Sequence, residues 1–293
     1  MSAPGTKWTL IPTHKHLSKR TRRLRSGSVA ASSPTLGQDR LPGRGQSTLI
    51  PFALPPEIFA SRFISEGLSL EDSFVWLIND NLAAIAIVTR RMDKARLAAF
   101  GVLPEYRSQG LAKQMLTPLF TSLKEKKLPS VRLEVMRENT RAIALYHALG
   151  FQVRRHLCKY RGDTQSRLEI PSGAMESKSA DDFLRTVWSA PDDDLPWLAS
   201  TLQLLSIPCD ILRDNEHAWC VVAEFMGQPQ LRCLFVEPVY RYQGRAKRML
   251  RKMNAKWPGI GTSAAIRETL APLFTAVSYQ AEPLCQFEME LTF

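Results

Sequence analysis

Val102-Leu103-Pro104-Glu105-Tyr106-Arg107-Ser108-Gln109-Gly110-Leu111-Ala112-Lys113-Gln114-Met115-Leu116 returns later in the chain as Val236-Glu237-Pro238-Val239-Tyr240-Arg241-Tyr242-Gln243-Gly244-Arg245-Ala246-Lys247-Arg248-Met249-Leu250. Ten of the fifteen positions are identical at a constant offset of 134, too many for chance. The chain is therefore an internal duplication rather than one large domain. The repeat resumes where Leu145-Tyr146-His147-Ala148-Leu149-Gly150-Phe151-Gln152 aligns with Leu273-Phe274-Thr275-Ala276-Val277-Ser278-Tyr279-Gln280, now at an offset of 128. The second copy has thus lost six residues between its loop and this later helix.

Around the first copy of the loop the pattern alternates. Residues 73–78 and 82–88 read as strands joined by the turn Asn79-Asp80-Asn81. A third strand covers 96–102, a helix 110–126, a strand 131–135, a helix 140–149, and a strand starts at Phe151. Upstream, Pro55-Pro56-Glu57 opens an amphipathic stretch that places Ile58, Phe59, Phe63 and Ile64 at helical spacing. Hairpin strands followed by alternating helices and strands predict a mixed α/β sheet. The organisation expected is an extension over 1–46, a first domain over 47–170, a polar linker over 171–182 and a second domain over 183–293.

The chemistry starts at the turn. A loop that feeds a helix N-terminus presents unpaired backbone N–H groups and the positive end of the helix dipole, which suits a pyrophosphate. Gly110 and Ala112 keep bulk away, so the backbone can close on phosphate oxygens. Alone, such a short string is weak evidence. Its place after Val-x-Pro-x-Tyr and before an amphipathic helix strengthens it.

Val102-x-Pro104-x-Tyr106-Arg107-x-x-Gly110-x-Ala112 resembles the acetyl-CoA loop of the GNAT superfamily of N-acetyltransferases. About thirty residues on, Leu133-Glu134-Val135 precedes Asn139-x-x-Ala142-x-x-Leu145-Tyr146-x-x-x-Gly150-Phe151, which is similar to a second block of that superfamily, in the form found in ribosomal-protein N-terminal acetyltransferases. The resemblance covers residues 73–157. It implies two tandem domains, each with a mixed, largely antiparallel sheet splayed around the CoA site and flanked by helices. It also implies acetyl-CoA, or another acyl-CoA, as co-substrate, without a metal. Arg107, Ser108, Gln109, Gly110, Leu111 and Ala112 would cradle the phosphates, and backbone at Phe100, Gly101 and Val102 would hold the pantetheine arm. The Val102 N–H would polarise the thioester carbonyl. Asn139 would either contact CoA or cap the following helix.

An amine must be neutral to attack a thioester. Deprotonating a lysine at pH 7 costs roughly 4–5 kcal/mol, an α-amine only about 1–1.5. The resemblance assigns that proton to Glu134, directly or through water, and makes Tyr146 the acid that protonates the leaving thiolate. The alternatives are a surface carboxylate paired with an arginine and a core-packing tyrosine. His147 and His156 flank this region and receive no role. In the second copy Arg241-x-x-Gly244-x-Ala246 survives, but Phe274 replaces the tyrosine and no Leu-Glu-Val follows the loop. That copy is expected to be catalytically silent.

The 293 residues are 44% hydrophobic and 23% charged, which allows a sizeable core. The apolar run 82–88 is too short to span a bilayer, and no apolar signal stretch follows the first basic residues. Five scattered cysteines with no CxxC fit neither a disulfide framework nor a zinc site and read as reduced thiols of a cytoplasmic protein, with Cys220 and Cys233 as core fillers. Residues 1–48 contribute +8 of the +11 net charge. That tail is either a solvated extension, a contact for nucleic acid or an acidic partner, or an organelle-targeting segment.

The leading expectation is an N-acyltransferase acting on a small molecule, a peptide or a protein, as a monomeric pseudo-dimer or a homodimer. A longer-chain acyltransferase, an RNA-associated acetyltransferase and a non-catalytic CoA-binding module are the alternatives.

Overall fold

A computed structural model describes residues 62–79, 81–166, 168–189, 195–200, 207–215 and 217–293, together with the backbone of 9–12. The amphipathic residues Ile58 and Phe59 and the basic tail, apart from the backbone of 9–12, lie outside the described residues. The chain divides into two compact units. The first comprises Met1–Leu133, Leu145–Phe151 and Leu291–Phe293; the second comprises Glu134–Ala144 and Gln152–Glu290.

In the first unit, β1 (Thr9–Pro12), β2 (Leu68–Ile78), β3 (Asn81–Arg91) and β4 (Lys94–Val102) form an antiparallel run. β5 (Ser130–Met136) joins β4 in parallel. The turn between β2 and β3 carries Asn79 at φ +51°, a left-handed conformation that Asn tolerates well. β3 is near-continuously apolar because both its faces are covered, and Ala83, Ala84, Ala86 and Val88 are all buried. α1 (Leu111–Glu125) buries Leu111, Met115, Leu116, Leu119, Phe120 and Leu123, the i, i+4, i+5, i+8 stripe of an amphipathic helix. Phe63 is buried as its spacing suggests, whereas Ile64 is 60% exposed and faces away from the core.

A buried ion pair sits under β4. Arg96 donates to Glu66 at 2.6 Å, and Arg62 reaches the other oxygen of the same carboxylate at 2.9 Å. Burial alone would raise the Glu66 carboxyl, but the two guanidinium groups outweigh it and hold it below the ordinary range.

In the second unit the sheet order is β13 (Tyr279–Thr292), β6 (Gln152–Gly162), β11 (Gly261–Thr262), β10 (Gln228–Val236), β9 (Ala218–Phe225), β8 (Asp210–Asp214), β7 (Met175–Ser177). β12 (Ile266–Arg267) also pairs with β6. β10 and β11 are parallel, and the other pairs are antiparallel. The mixed sheet and flanking helices are those expected. The stretch read as a polar linker contains β7 and the start of α3 (Ala180–Trp188), whose first turn is capped by Ser179 Oγ accepting from the Asp182 N–H. α4 (Arg245–Lys256) buries Met249, Leu250 and Met253 against Tyr160, Phe274 and Tyr279, with Tyr160 and Phe274 stacked at 4.7 Å.

Gly162 on β6 is a close-approach glycine: a Cβ there would lie 2.0 Å from Asn254 Oδ1. That oxygen already accepts from the Gly259 N–H, while Asn254 Nδ2 donates to Asp163 O. Gly162→Ala is expected to destabilise the protein by about 1–3 kcal/mol through overpacking, read as a lower urea midpoint.

One reading is overturned here. Cys158 and Cys285 are disulfide-bonded, not reduced. They are 127 residues apart in sequence and directly opposite on β6 and β13, a juxtaposition that sequence spacing cannot reveal. Cys209, Cys220 and Cys233 are free thiols. Cys220 is fully buried, as befits a core filler, whereas Cys233 is half-buried against the Phe183–Trp219 cluster; burial pushes both thiols up to about 12.

Candidate functional site

β4 carries an extra residue. Ile87 faces Ala99 and Val88 faces Leu97, so Ala98 is bulged out of the ladder. The parallel pairing with β5 covers Ala95–Leu97 against Val131–Leu133, and among the described residues it extends no further. β4 thus runs from the bulge through Phe100 and Gly101 to Val102 without a recorded β5 partner. Free backbone groups on such a stretch suit an extended amide-bearing ligand. Phe100 is held edge-on to Trp76 at 6.2 Å.

The loop follows directly. Pro104–Tyr106 makes one turn of 3-10 helix, for which Pro104 pre-sets φ. Arg107 folds back so that its Nε donates to Val102 O at 2.8 Å, and Gln109 Nε2 donates to Glu105 O at 3.0 Å. Ser108 at φ +62° and Gly110 at φ +74° are both left-handed, a backbone form that builds anion-binding nests. Gly110 is the N-cap of α1 and supplies no side-chain cap, so the helix N–H groups are left to other acceptors. No acid occupies the first turn, and a Cβ on Gly110 would meet nothing within 4 Å. The N-terminus of α1 therefore opens onto space, with a field that favours anions.

Tyr146 lies on α2 (Thr140–Ala148), is 8% exposed, and packs on Phe151 at 5.7 Å. Burial pushes its phenol up to about 12, so it keeps its proton through neutral pH and has an O–H to donate. Glu134 is a half-buried residue of β5 and belongs to the second unit, as does Asn139. Asn139 Oδ1 accepts from the Ala142 N–H at 3.1 Å, the capping geometry of a helix start. His147 Nδ1 shares a hydrogen bond with Phe151 O at 3.0 Å, and His156 Nδ1 with Glu268 Oε2 at 2.8 Å. Both histidines thus have structural partners.

The second loop repeats the first bond for bond. Pro238–Tyr240 is 3-10, Arg241 Nε donates to Val236 O at 3.0 Å, Gln243 Nε2 donates to Val239 O at 3.2 Å, and Gly244 caps α4 at φ +79°. β10 is even bulged at the matching residue, Arg232, 134 positions after Ala98. The difference lies in the chemistry. Leu231 pairs with Thr262 as Leu97 pairs with Leu133, so the next residue, Ser263, stands where the first copy has Glu134. Phe274, 1% exposed on α5 (Ala271–Thr275), stands where it has Tyr146. The bulges were not read from the sequence. The one available signal was the constant offset, which carries Ala98 onto Arg232.

Among the described residues, no helix is long and apolar enough to cross a membrane, and no group of three or more His, Cys, Asp or Glu side chains could hold a metal.

Comparison with known proteins gives three findings. Residues 50–151 match the model of the Acetyltransferase (GNAT) family. The [ribosomal protein bS18]-alanine N-acetyltransferase of Escherichia coli K12 is 40% identical over 73 residues, which is 25% of this chain and 49% of that protein. The chain thus spans about half the length of the curated relatives it matches. Among solved structures, a GCN5-related N-acetyltransferase from Sphaerobacter thermophilus aligns at TM-score 0.55 and 14% identity over 78% of this chain and 82% of its own. A tandem GNAT protein from the clavulanic acid biosynthesis pathway aligns at TM-score 0.53 and 10% identity over 75% and 82%. At these identities the two structures speak to the fold alone.

Proposed function

We infer that this chain, whose residues 50–151 match the model of the Acetyltransferase (GNAT) family, is a CoA-dependent N-acyltransferase that acetylates an α-amine. The observation that carries the reading is the loop from Val102 to Ala112, closed by Arg107 and opened at the α1 N-terminus by Gly110. A pyrophosphate fits there, through backbone N–H groups and dipole rather than through side-chain charge. The roles follow. Backbone from Phe100 to Val102 orients the pantetheine arm, with the Val102 N–H donating to the thioester oxygen. Glu134 accepts the amine proton, and Tyr146 donates to the sulfur that leaves.

An α-amine is the favoured acceptor because its neutral form is within about 1.5 kcal/mol at pH 7, whereas a lysine needs roughly three times that. The similarity to a bS18-alanine N-acetyltransferase supports a peptide or protein N-terminus of that kind. The phenol of Tyr146, held protonated by burial, supports its role as acid. Transfer is assigned to the first copy alone, since Ser263 and Phe274 offer the second copy neither carboxylate nor phenol.

The test is release of free CoA thiol from acetyl-, propionyl- and octanoyl-CoA in the presence of peptides beginning with Ala, Ser, Gly or Met, with products identified by mass. Acetylation confined to the peptide N-terminus is expected. Absence of thiol release with every amine tried would leave a CoA-binding module instead. Glu134→Gln is expected to slow transfer at pH 7 by about tenfold or more, because only about a tenth of an α-amine is neutral there. The deficit should shrink toward pH 9, where the amine loses its proton unaided. A pH-independent deficit would remove Glu134 from the role of base.

A further inference from the structure

The disulfide lies at a joint of the second unit. β6 and β13 pair in register on both sides of it, with Leu157 facing Gln286 and Tyr160 facing Ala281. Between Ala281 and Cys285 the ladder is interrupted: β6 has one residue there, Lys159, where β13 has three, Glu282, Pro283 and Leu284. Cys285 therefore closes a bulged segment. Glu282 in that segment is gripped by Lys159 at 2.6 Å and by Arg161. Cys158 is 3% exposed, whereas Cys285 is half-buried and is the more exposed residue of the pair.

What Cys285 holds is the end of β5. Its carbonyl accepts from the Arg137 N–H at 3.2 Å, just past the last residue of that strand and three residues after Glu134. The Arg137 guanidinium also lies 5.6 Å over the ring of Phe287 on β13, and its Nη1 is 3.4 Å from Glu268 in the 3-10 turn Glu268–Leu270. Moving β13 at Cys285 therefore moves the segment that carries Glu134.

We propose that Cys158 and Cys285 form a reversible redox-modification site whose reactant is a small disulfide of the oxidised-glutathione class, and whose state sets the placement of Glu134. The proposal rests on the assignment of Glu134 as base. In the oxidising direction, the Cys285 thiolate attacks the small disulfide, forming a mixed disulfide and expelling one glutathione thiolate. The Cys158 thiolate then attacks the Cys285 sulfur and expels the second. Two protein thiols lose two electrons and two protons, and one glutathione disulfide becomes two glutathiones. Cys209, Cys220 and Cys233 form no disulfide, and burial raises all three thiols, which lowers their thiolate fractions. With the bond closed, the bulge is pinned and β5 is held. With it open, the bulged segment is free to shift.

The test equilibrates the full chain in graded ratios of reduced to oxidised glutathione, then unfolds and alkylates it. Of the five cysteines, three should be alkylated in the oxidised form and five in the reduced form, with a 158–285 cross-linked peptide in the oxidised digest. Amide exchange at Arg137 should quicken at least tenfold on reduction. Transfer to the best peptide acceptor should fall at least threefold. The variants Cys158→Val and Cys285→Ala should show no response to the glutathione ratio in either readout. If Cys158 and Cys285 stay reduced at every ratio, or if Arg137 exchanges equally in both forms, the proposal is wrong. Arg137 exchange needs no activity, so a failure of the transferase reading stays distinguishable from a failure of this one.

Discussion

Replacing Tyr146 with Phe is expected to lower kcat by about 10²-fold or more while leaving the protein folded, the usual scale for loss of a positioned proton donor. The ring stays: it packs against Phe151, which in turn contacts Phe120 at 5.2 Å, and those contacts are apolar. Only the hydroxyl goes. Because burial pushes the phenol up to about 12, the wild-type group is protonated throughout the working range, and its loss should depress the rate evenly between pH 6 and 9. KM for acyl-CoA should change by less than about threefold, since the proposed phosphate site at the α1 N-terminus does not include Tyr146. The assay is CoA thiol release at saturating acceptor, with the thermal midpoint as the folding control. Activity that survives Tyr146→Phe but is lost in Gly244→Trp would move the chemistry to the second copy.

The second large effect concerns stability. Arg96→Ala is expected to destabilise the fold by about 3–5 kcal/mol, because it removes the nearer of two guanidinium groups from the Glu66 carboxylate, which is 1% exposed. The expected shift in thermal midpoint is on the order of 10 °C. Replacing both partners, Glu66→Leu with Arg96→Met, should recover most of the loss, since a well-packed apolar pair removes the buried charge. The pH dependence has a definite sign. The Glu66 carboxyl is lowered in the folded protein, so its contribution is complete above the unfolded value near 4.5 and is lost as pH falls through the lower folded value. Wild type should therefore weaken more steeply in acid than Glu66→Gln, as urea midpoints between pH 3 and 6 would show. Arg96 also sits one residue before the last β4–β5 pair and two before the Ala98 bulge. A loosened Arg96 should raise KM for acyl-CoA as well.

How much of this could be read in advance depends on how local the chemistry is. The loop was legible because Arg107, Gly110 and Ala112 fall within one turn of chain, and the duplication prints the pattern twice. Tyr146 and Glu134 were nameable because each stands in a short block of characteristic spacing. The helix α1 followed from its apolar stripe. The Cys158–Cys285 bond and the Glu66–Arg96 pair were not legible, since each joins residues that only the sheet brings together. For the same reason an odd, scattered cysteine count suggested free thiols. The bulge at Ala98 left no mark in composition, because an alanine in a strand looks the same in or out of register. Ile64 shows the limit of periodicity from the other side, as it falls on the apolar spacing yet faces solvent.

The order of strands in the second unit constrains how this protein can be cut or inherited. β6 comes from the first sequence copy, yet its neighbours β13, β11 and β12 all come from the second. A fragment that stopped before residue 175 would carry an eleven-residue strand with both edges bare, a template for association with other chains. The second copy, with Ser263 and Phe274 at the positions matching Glu134 and Tyr146, therefore cannot be discarded without baring β6. Its strands are the ladder partners of β6, so the two sequence copies must be expressed as one chain for that strand to be covered.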